Sequence, residues 1–153
     1  MPVTVGVNFM SVVHAGSGGV SIAFPDVCKT PAPPAPPVPV PYPNVARSSD
    51  AAKTATKVEA DGHPLCTKDS CFRRSSGDEA GTLKGVASST VRGRATFVNY
   101  ALDVKVNGKP VPRALDLMLH NDRNTPPTPL SQGPVLARPS DEPITCVICD
   151  EPI

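Results

Sequence analysis

VEADGHPL, residues 58–65, and VKVNGKPV, residues 104–111, share one pattern: valine, charge, apolar residue, Asp or Asn, glycine, any residue, proline, aliphatic. Asp-Gly and Asn-Gly favour the positive backbone angles of two-residue hairpin turns, so each stretch predicts two short antiparallel strands with its tip at Asp61-Gly62 or Asn107-Gly108. A lone two-stranded hairpin cannot bury a face. Repeated hairpins must therefore pack on one another, and the expected fold is all-β, a small domain of successive short hairpins. A weaker third copy is read at Val20–Val27, where the Pro-x-Val ending survives without the glycine turn.

Outward from these tips the text stays β-prone. Residues 1–24 give Val-rich runs broken by glycines at 16, 18 and 19, read as a further hairpin. Residues 31–43 follow, dense in proline. From Pro37 the prolines at 37, 39, 41 and 43 alternate with Val38, Val40 and Tyr42, which suits an extended edge segment with one proline face outward and one apolar face inward. PAPPAPP, 31–37, is expected to bulge first. Ser48 or Ser49 is the one credible helix cap, for a turn or two ending by Ala55. The body is placed at residues 1–123, and 124–153 are read as an extended Pro-rich tail ending in Cys146-Val-Ile-Cys149.

Composition limits the function. The chain has 153 residues, 20 prolines, 11 glycines, no tryptophan and 4% aromatics, so one modest core must be built from Val, Leu, Ile and Ala. A net charge of +1 with scattered basic residues leaves no electrostatic footprint for nucleic acid or an anionic membrane. The start lacks the form of a signal peptide and no apolar run approaches the roughly 20 residues of a membrane span. Synthesis in the cytoplasm without a leader is expected, with any export by another route. Five cysteines in such a chain are read as thiols or metal ligands.

Three histidines, His14, His63 and His120, stand beside turns or strand ends, and with Cys28, Cys66 or Cys71 they supply the donor types of a tetrahedral structural zinc shell. Spacing alone favours surface histidines and half-buried cysteines acting as small hydrophobes, since no pair of these ligands shows a tight metal-type repeat. Cys146 and Cys149 form a true Cys-x-x-Cys: half a metal site, a redox pair or an unused one. Asp78 and Glu79 read as turn residues. With no phosphate loop, nucleophile elbow or His-Glu-x-x-His, the expectation is a protein that is not an enzyme.

At NGKPVPRALDLMLH, 107–120, the chain resembles the PAAR repeat, with Pro110-Val111-Pro112-Arg113 at the tetrad, Asp116 at the acid and His120 at the ligand position. SVVHAGSGG resembles the opening His-Gly-Gly segment of such domains and puts His14 at its ligand position. GSGGVSIAFPDVCKTP, PVPVPYPNVARSSDAAK, GDEAGT and FVNYALDVKVNGK, taken in order, resemble the PAAR-like branch described as a domain of unknown function, over about residues 8–123. The departures are Val111 and Pro112 for two alanines, Leu115 for a glycine, and no arginine in GHPLCTKDSCF. The resemblance implies a conical β domain around a structural zinc held by His14, Cys28, His63 and His120, with Cys71 as the substitute ligand. It further implies a tip that caps the trimeric VgrG-type spike of a type VI secretion system or related contractile injection machine, delivered outside the cell or into a target cell. The alternative is an adaptor recruiting an effector through the tail. No nucleic-acid partner and no stable membrane insertion are expected.

Overall fold

A computed structural model of the chain describes residues 3–133. In chain order the strands are β1 (Gly6–Val7), β2 (Met10–Ser11), β3 (Val20–Ala32), β4 (Ala35–Arg47), β5 (Ala51–Ala52), β6 (Glu59–Ala60), β7 (His63–Pro64), β8 (Cys71–Phe72), β9 (Ser75–Ser76), β10 (Ala95–Phe97), β11 (Lys105–Val106), β12 (Lys109–Pro110), β13 (Leu117–Leu119) and β14 (Thr128–Ser131). A 3-10 turn at Ser48–Asp50 is the one helical element among the described residues. The fold is all-β, as the paired turns require.

The two predicted hairpins form in identical register, Glu59 opposite Pro64 and Lys105 opposite Pro110. Their turn residues, Asp61-Gly62 and Asn107-Gly108, have φ of 52°, 78°, 51° and 74°, the all-positive pair that matches strand twist. The third copy is not at Val20–Val27, which lies inside β3. It is β1–β2, turning at Asn8 (φ 51°) and Phe9 (φ 64°). Each hairpin is closed by the same backbone bond, Val12 N–H to Val5 O, Leu65 to Val58 and Val111 to Val104, at 3.1, 3.2 and 3.3 Å.

The repetition runs further along the chain. Two residues past each closing bond, the backbone N–H of His14, Thr67 and Arg113 donates to the side-chain oxygen three residues on, in Ser17, Ser70 and Asp116 (3.4, 2.7 and 2.6 Å). The N–H of that third residue returns to the carbonyl of the first. The unit is therefore residues 5–17, 58–70 and 104–116. The first copy carries Phe9 and Ser11 where the others have Gly and Pro, which hides it from a pattern built on glycine and proline.

The three units close on one another. Each turn residue is tied to the segment that leads into another unit: Thr4 N–H and hydroxyl donate to Asp61, Asn8 Nδ2 to Asp103 (3.1 Å), and Asn107 Nδ2 to Thr56 (3.3 Å). Backbone bonds repeat these links: Cys66 N–H to Val13 O, Lys68 to Pro110 and Ala114 to Ser11. Between the units Val12, Leu65 and Val111 pack with Val3, Ala55 and Ala60, and Val7, Val58, Val104 and Val106 cover the cluster.

A second core of Val13, Ala46, Cys66, Phe72, Ala95, Phe97, Met118 and Leu130 lies against the larger sheet, whose strand order is β5-β8-β10-β13-β14-β3-β4-β9. Phe72 and Phe97 meet edge to face at 5.6 Å, the one aromatic pair available to fill it. β14 inserts between β13 and β3, Leu130 is fully buried and Gln132 bonds to Ser11, Val12 and Ser17. The folded body thus continues to the end of the described residues, and the boundary expected at 123 falls too early. A four-residue strand with one buried Leu carries no periodicity, so the sequence gives no sign of this pairing.

The proline run is built into the fold. β3 and β4 form one long hairpin turning at Pro33-Pro34, and the register slips between Thr30 and Ala32, where the chain was expected to bulge. In the register Val27↔Pro41 and Lys29↔Pro39, the polar backbone of Val27 and Lys29 faces away from β4 and bonds to the loop 83–86. Pro39 and Pro41 therefore turn their nitrogens toward the free edge, where a missing N–H costs no ladder bond. The inward series from Val40 and Tyr42 ends in buried Asn44. The helix expected through Ala55 is only the 3-10 turn, because Ser48 does not cap it: its hydroxyl accepts the Gly19 N–H at 2.8 Å instead.

Leu115 occupies the left-handed region (φ 66°) while 45% exposed, where a Cβ is strained. Leu115→Gly is expected to raise stability by about 1 kcal/mol, read as a higher urea midpoint at unchanged slope. A lower midpoint would show that the leucine side chain is needed for packing.

Candidate functional site

The sequence-predicted ligands fall into two separate places. The first is between units 5–17 and 58–70. His14 is buried, its Nδ1 accepts the Gly16 N–H at 3.1 Å and its Nε2 faces Asp61 Oδ2 at 3.3 Å. His63 lies parallel to it, ring centroids 5.3 Å apart and planes 9° apart. Gly16 makes room, since a Cβ there would stand 2.5 Å from His63 Nε2. Burial pulls the His14 pKa down, and Asp61 opposes this. The Thr4 hydroxyl and N–H hold Asp61 below the usual carboxylate range. Both ring nitrogens of His14 are thus engaged by the protein.

The second place is where β3, β4 and the loops at 78 and 121–124 meet. Asp26 and Cys28, two residues apart on β3, point the same way into it. Cys28 Sγ lies 3.6 Å from Asp26 Oδ1 and 3.9 Å from Asp78 Oδ2, and all three residues are buried. Asn44 Nδ2 donates to Asp26 Oδ2 at 2.6 Å, Asn121 Nδ2 to Oδ1 at 3.3 Å, and Asn124 Nδ2 also to Oδ1. The Arg92 N–H meets both oxygens of Asp78, at 3.2 and 3.0 Å. Burial, reinforced by the two carboxylates, pushes the Cys28 thiol up to about 12. Burial likewise lifts Asp78 to about 6, with Asp26 adding to it.

Of the four expected ligands, His14 and His63 come together and Cys28 and His120 do not join them. Among the described residues, Asp26, Cys28 and Asp78 are the one group of three or more donor side chains within 4.8 Å of one another. The shell of His14, Cys28, His63 and His120 is therefore not assembled. His120 is buried with Nε2 2.9 Å from Ser21 Oγ, and burial holds its pKa down at about 4. Cys71 pairs within the sheet on β8, and Cys66 sits in the second core, its thiol raised to about 12 by burial. Cys146 and Cys149 lie outside the described residues.

Arg113 and Asp116, at the tetrad and acid positions, form a bidentate pair (3.3 and 3.2 Å), and Arg113 Nη1 reaches Asn8 Oδ1 at 3.0 Å. The arginine thus ties the third unit to the first. Sequence reasoning missed Asp26, Asn44, Asn121 and Asn124 and read Asp78 as a turn former. Asp26 and Cys28 were legible as an i, i+2 pair on one strand face, and Asn44 as the polar end of the inward Val40, Tyr42 series. The distant asparagines gave no local signal.

The toxin PAAR-like domain profile matches residues 19–127. A curated relative, the DNase toxin Tse7 of Pseudomonas aeruginosa, is 39% identical over a 127-residue alignment that covers 78% of this chain and 33% of the relative. The chain thus spans about a third of that relative's length. No solved structure gives a significant match. The relative is named for a DNase activity, and this finding overturns the expectation of a protein that is not an enzyme, which rests on a missing catalytic motif.

His14 and His120 are held neutral in the fold below the unfolded value of 6.5, so the unfolded chain takes up protons first as pH falls. Their contribution is complete above pH 6.5 and is lost on acidification, for His120 down to about pH 4. Asp78 acts with the opposite sign, so a difference measurement isolates the histidine. The stability advantage of the wild type over His120→Gln is expected to shrink by on the order of 3 kcal/mol between pH 6.5 and 4. A constant difference across that window in urea titrations would contradict the buried neutral imidazole.

Proposed function

Because the chain belongs to the toxin PAAR-like domain family, we propose that it is the spike-tip part of a delivered toxin, a rigid β body that seats on a trimeric VgrG-type spike of a type VI or related contractile injection system. The observation that carries this reading is the threefold unit at 5–17, 58–70 and 104–116, whose copies are linked in pairs by the side chains of His14 and Asp61, Asn8 and Arg113, and Asp69 and Lys109. One chain with three similar units is suited to a partner with three identical subunits, because each unit can meet an equivalent surface.

Mechanical loading favours such a construction. A hairpin tied at its tip to a neighbouring unit cannot fray alone, and the exposed β3–β4 arm is protected from pairing with foreign strands by its prolines. Among the described residues no helix is long and apolar enough to cross a membrane, in keeping with carriage on a spike.

The likeness to a DNase toxin supports a cargo of that class: the tip travels with a DNA-cleaving toxin into the target cell. Recruitment of such a toxin through the tail at Cys146 and Cys149 is the alternative route to the same delivery.

The test exchanges this chain for the matched segment of the P. aeruginosa relative. Recipient cells exposed to the chimera are expected to lose DNA. If the chimera cleaves DNA in vitro yet is neither retained by the spike trimer in a pull-down at micromolar concentration nor delivered, the spike-tip reading fails.

A further inference from the structure

We infer that Asp26, Cys28 and Asp78 form a closed divalent-metal site, with Asn44 as the fourth ligand, distinct from the histidine shell expected from the sequence. The three donor atoms lie within 4.8 Å of one another and the residues that bear them are buried. Asp26 and Asp78 set two carboxyl groups side by side in the interior, and Cys28 adds a third acidic donor that becomes anionic on giving up its proton to a metal. Their hydrogen-bond donors are N–H groups of Asn44, Asn121, Asn124 and Arg92, and among the described residues no cationic side chain bonds to them. A buried charge without a countercharge is costly, and a cation removes that cost.

A second observation points at the same place. Asn44 is fully buried, and while its Nδ2 bonds to Asp26, its Oδ1 has no hydrogen-bond partner. Asn121 and Asn124 differ, because backbone N–H groups fix their amides: Gly93 donates to Asn121 Oδ1 at 2.8 Å, and Ala87 and Ser88 to Asn124 Oδ1 at 2.9 and 3.1 Å. Nothing of that kind fixes the Asn44 oxygen. A half-turn of its amide exchanges Nδ2 for Oδ1 and presents an oxygen donor beside Asp26. The fixed amides then serve the outer layer, their Nδ2 groups donating to Asp26 and lying 3.9 and 4.0 Å from Cys28 Sγ, where N–H donors steady a thiolate.

One thiolate with carboxylate and amide oxygens selects zinc. The sulfur is too soft for magnesium or calcium, and the oxygens are too hard for copper(I). Binding displaces the Cys28 proton to solvent and forms the metal–sulfur bond, with no change of oxidation state. The metal joins β3, β4 and the 78 loop, which supply all four ligands.

The experiment uses the full chain with Cys146→Ser and Cys149→Ser, purified without added metal or chelator and then loaded with zinc. Elemental analysis is expected to give about one equivalent of zinc, and X-ray absorption one sulfur at about 2.3 Å with oxygen scatterers and no imidazole signature. Cobalt(II) loading is expected to give thiolate-to-metal charge-transfer absorption that disappears in Asp78→Asn and Cys28→Ser and persists in His14→Ala. An unloaded chain that takes up no zinc, an imidazole-rich zinc spectrum, or charge-transfer bands that survive Cys28→Ser would each overturn the site. The absorption spectrum needs no ligand variant, so it decides the matter even if those variants fail to fold.

Discussion

A two-stranded hairpin of eight residues has one apolar face and nothing of its own to cover it, and the molecule is organised around this deficit. Val12, Leu65 and Val111 close their hairpins and are buried only because the other two copies surround them. Removing any one unit would expose the remaining two. The threefold arrangement therefore follows from burial in a chain with 4% aromatics, which lacks the large side chains to build one deep core.

The long β3–β4 hairpin solves a different problem. It joins the hairpin ring to the polar cluster, with Asp26 and Cys28 on one strand and Asn44 on the other. Its prolines occupy positions whose nitrogens face the open edge, so the sequence feature that looks least like a strand is what lets a strand of this length stand at an edge. Stiffness and resistance to unwanted pairing are properties that the proposed spike-tip role requires.

The fold was legible where local chemistry decides it. Asp61-Gly62 and Asn107-Gly108 carry their turn type in two residues, and the alternation from Pro37 carries its faces. The first unit was not legible, because Asn8-Phe9 reaches the same positive angles without glycine and is held there by contacts to Asp103 and Arg113. The same limit explains the site. His14 and His63 stand out in sequence by residue type, but whether four donors converge depends on long-range packing. The structure brings Cys28 to Asp78, fifty residues away, and leaves His120 with Ser21.

The central claim, that three units in one chain meet a threefold partner, is tested most directly by native mass spectrometry of the chain mixed with a VgrG-type spike trimer. The account predicts a single species holding one chain per trimer, even with the chain in excess. A complex of three chains per trimer, or free trimer alone, would contradict it.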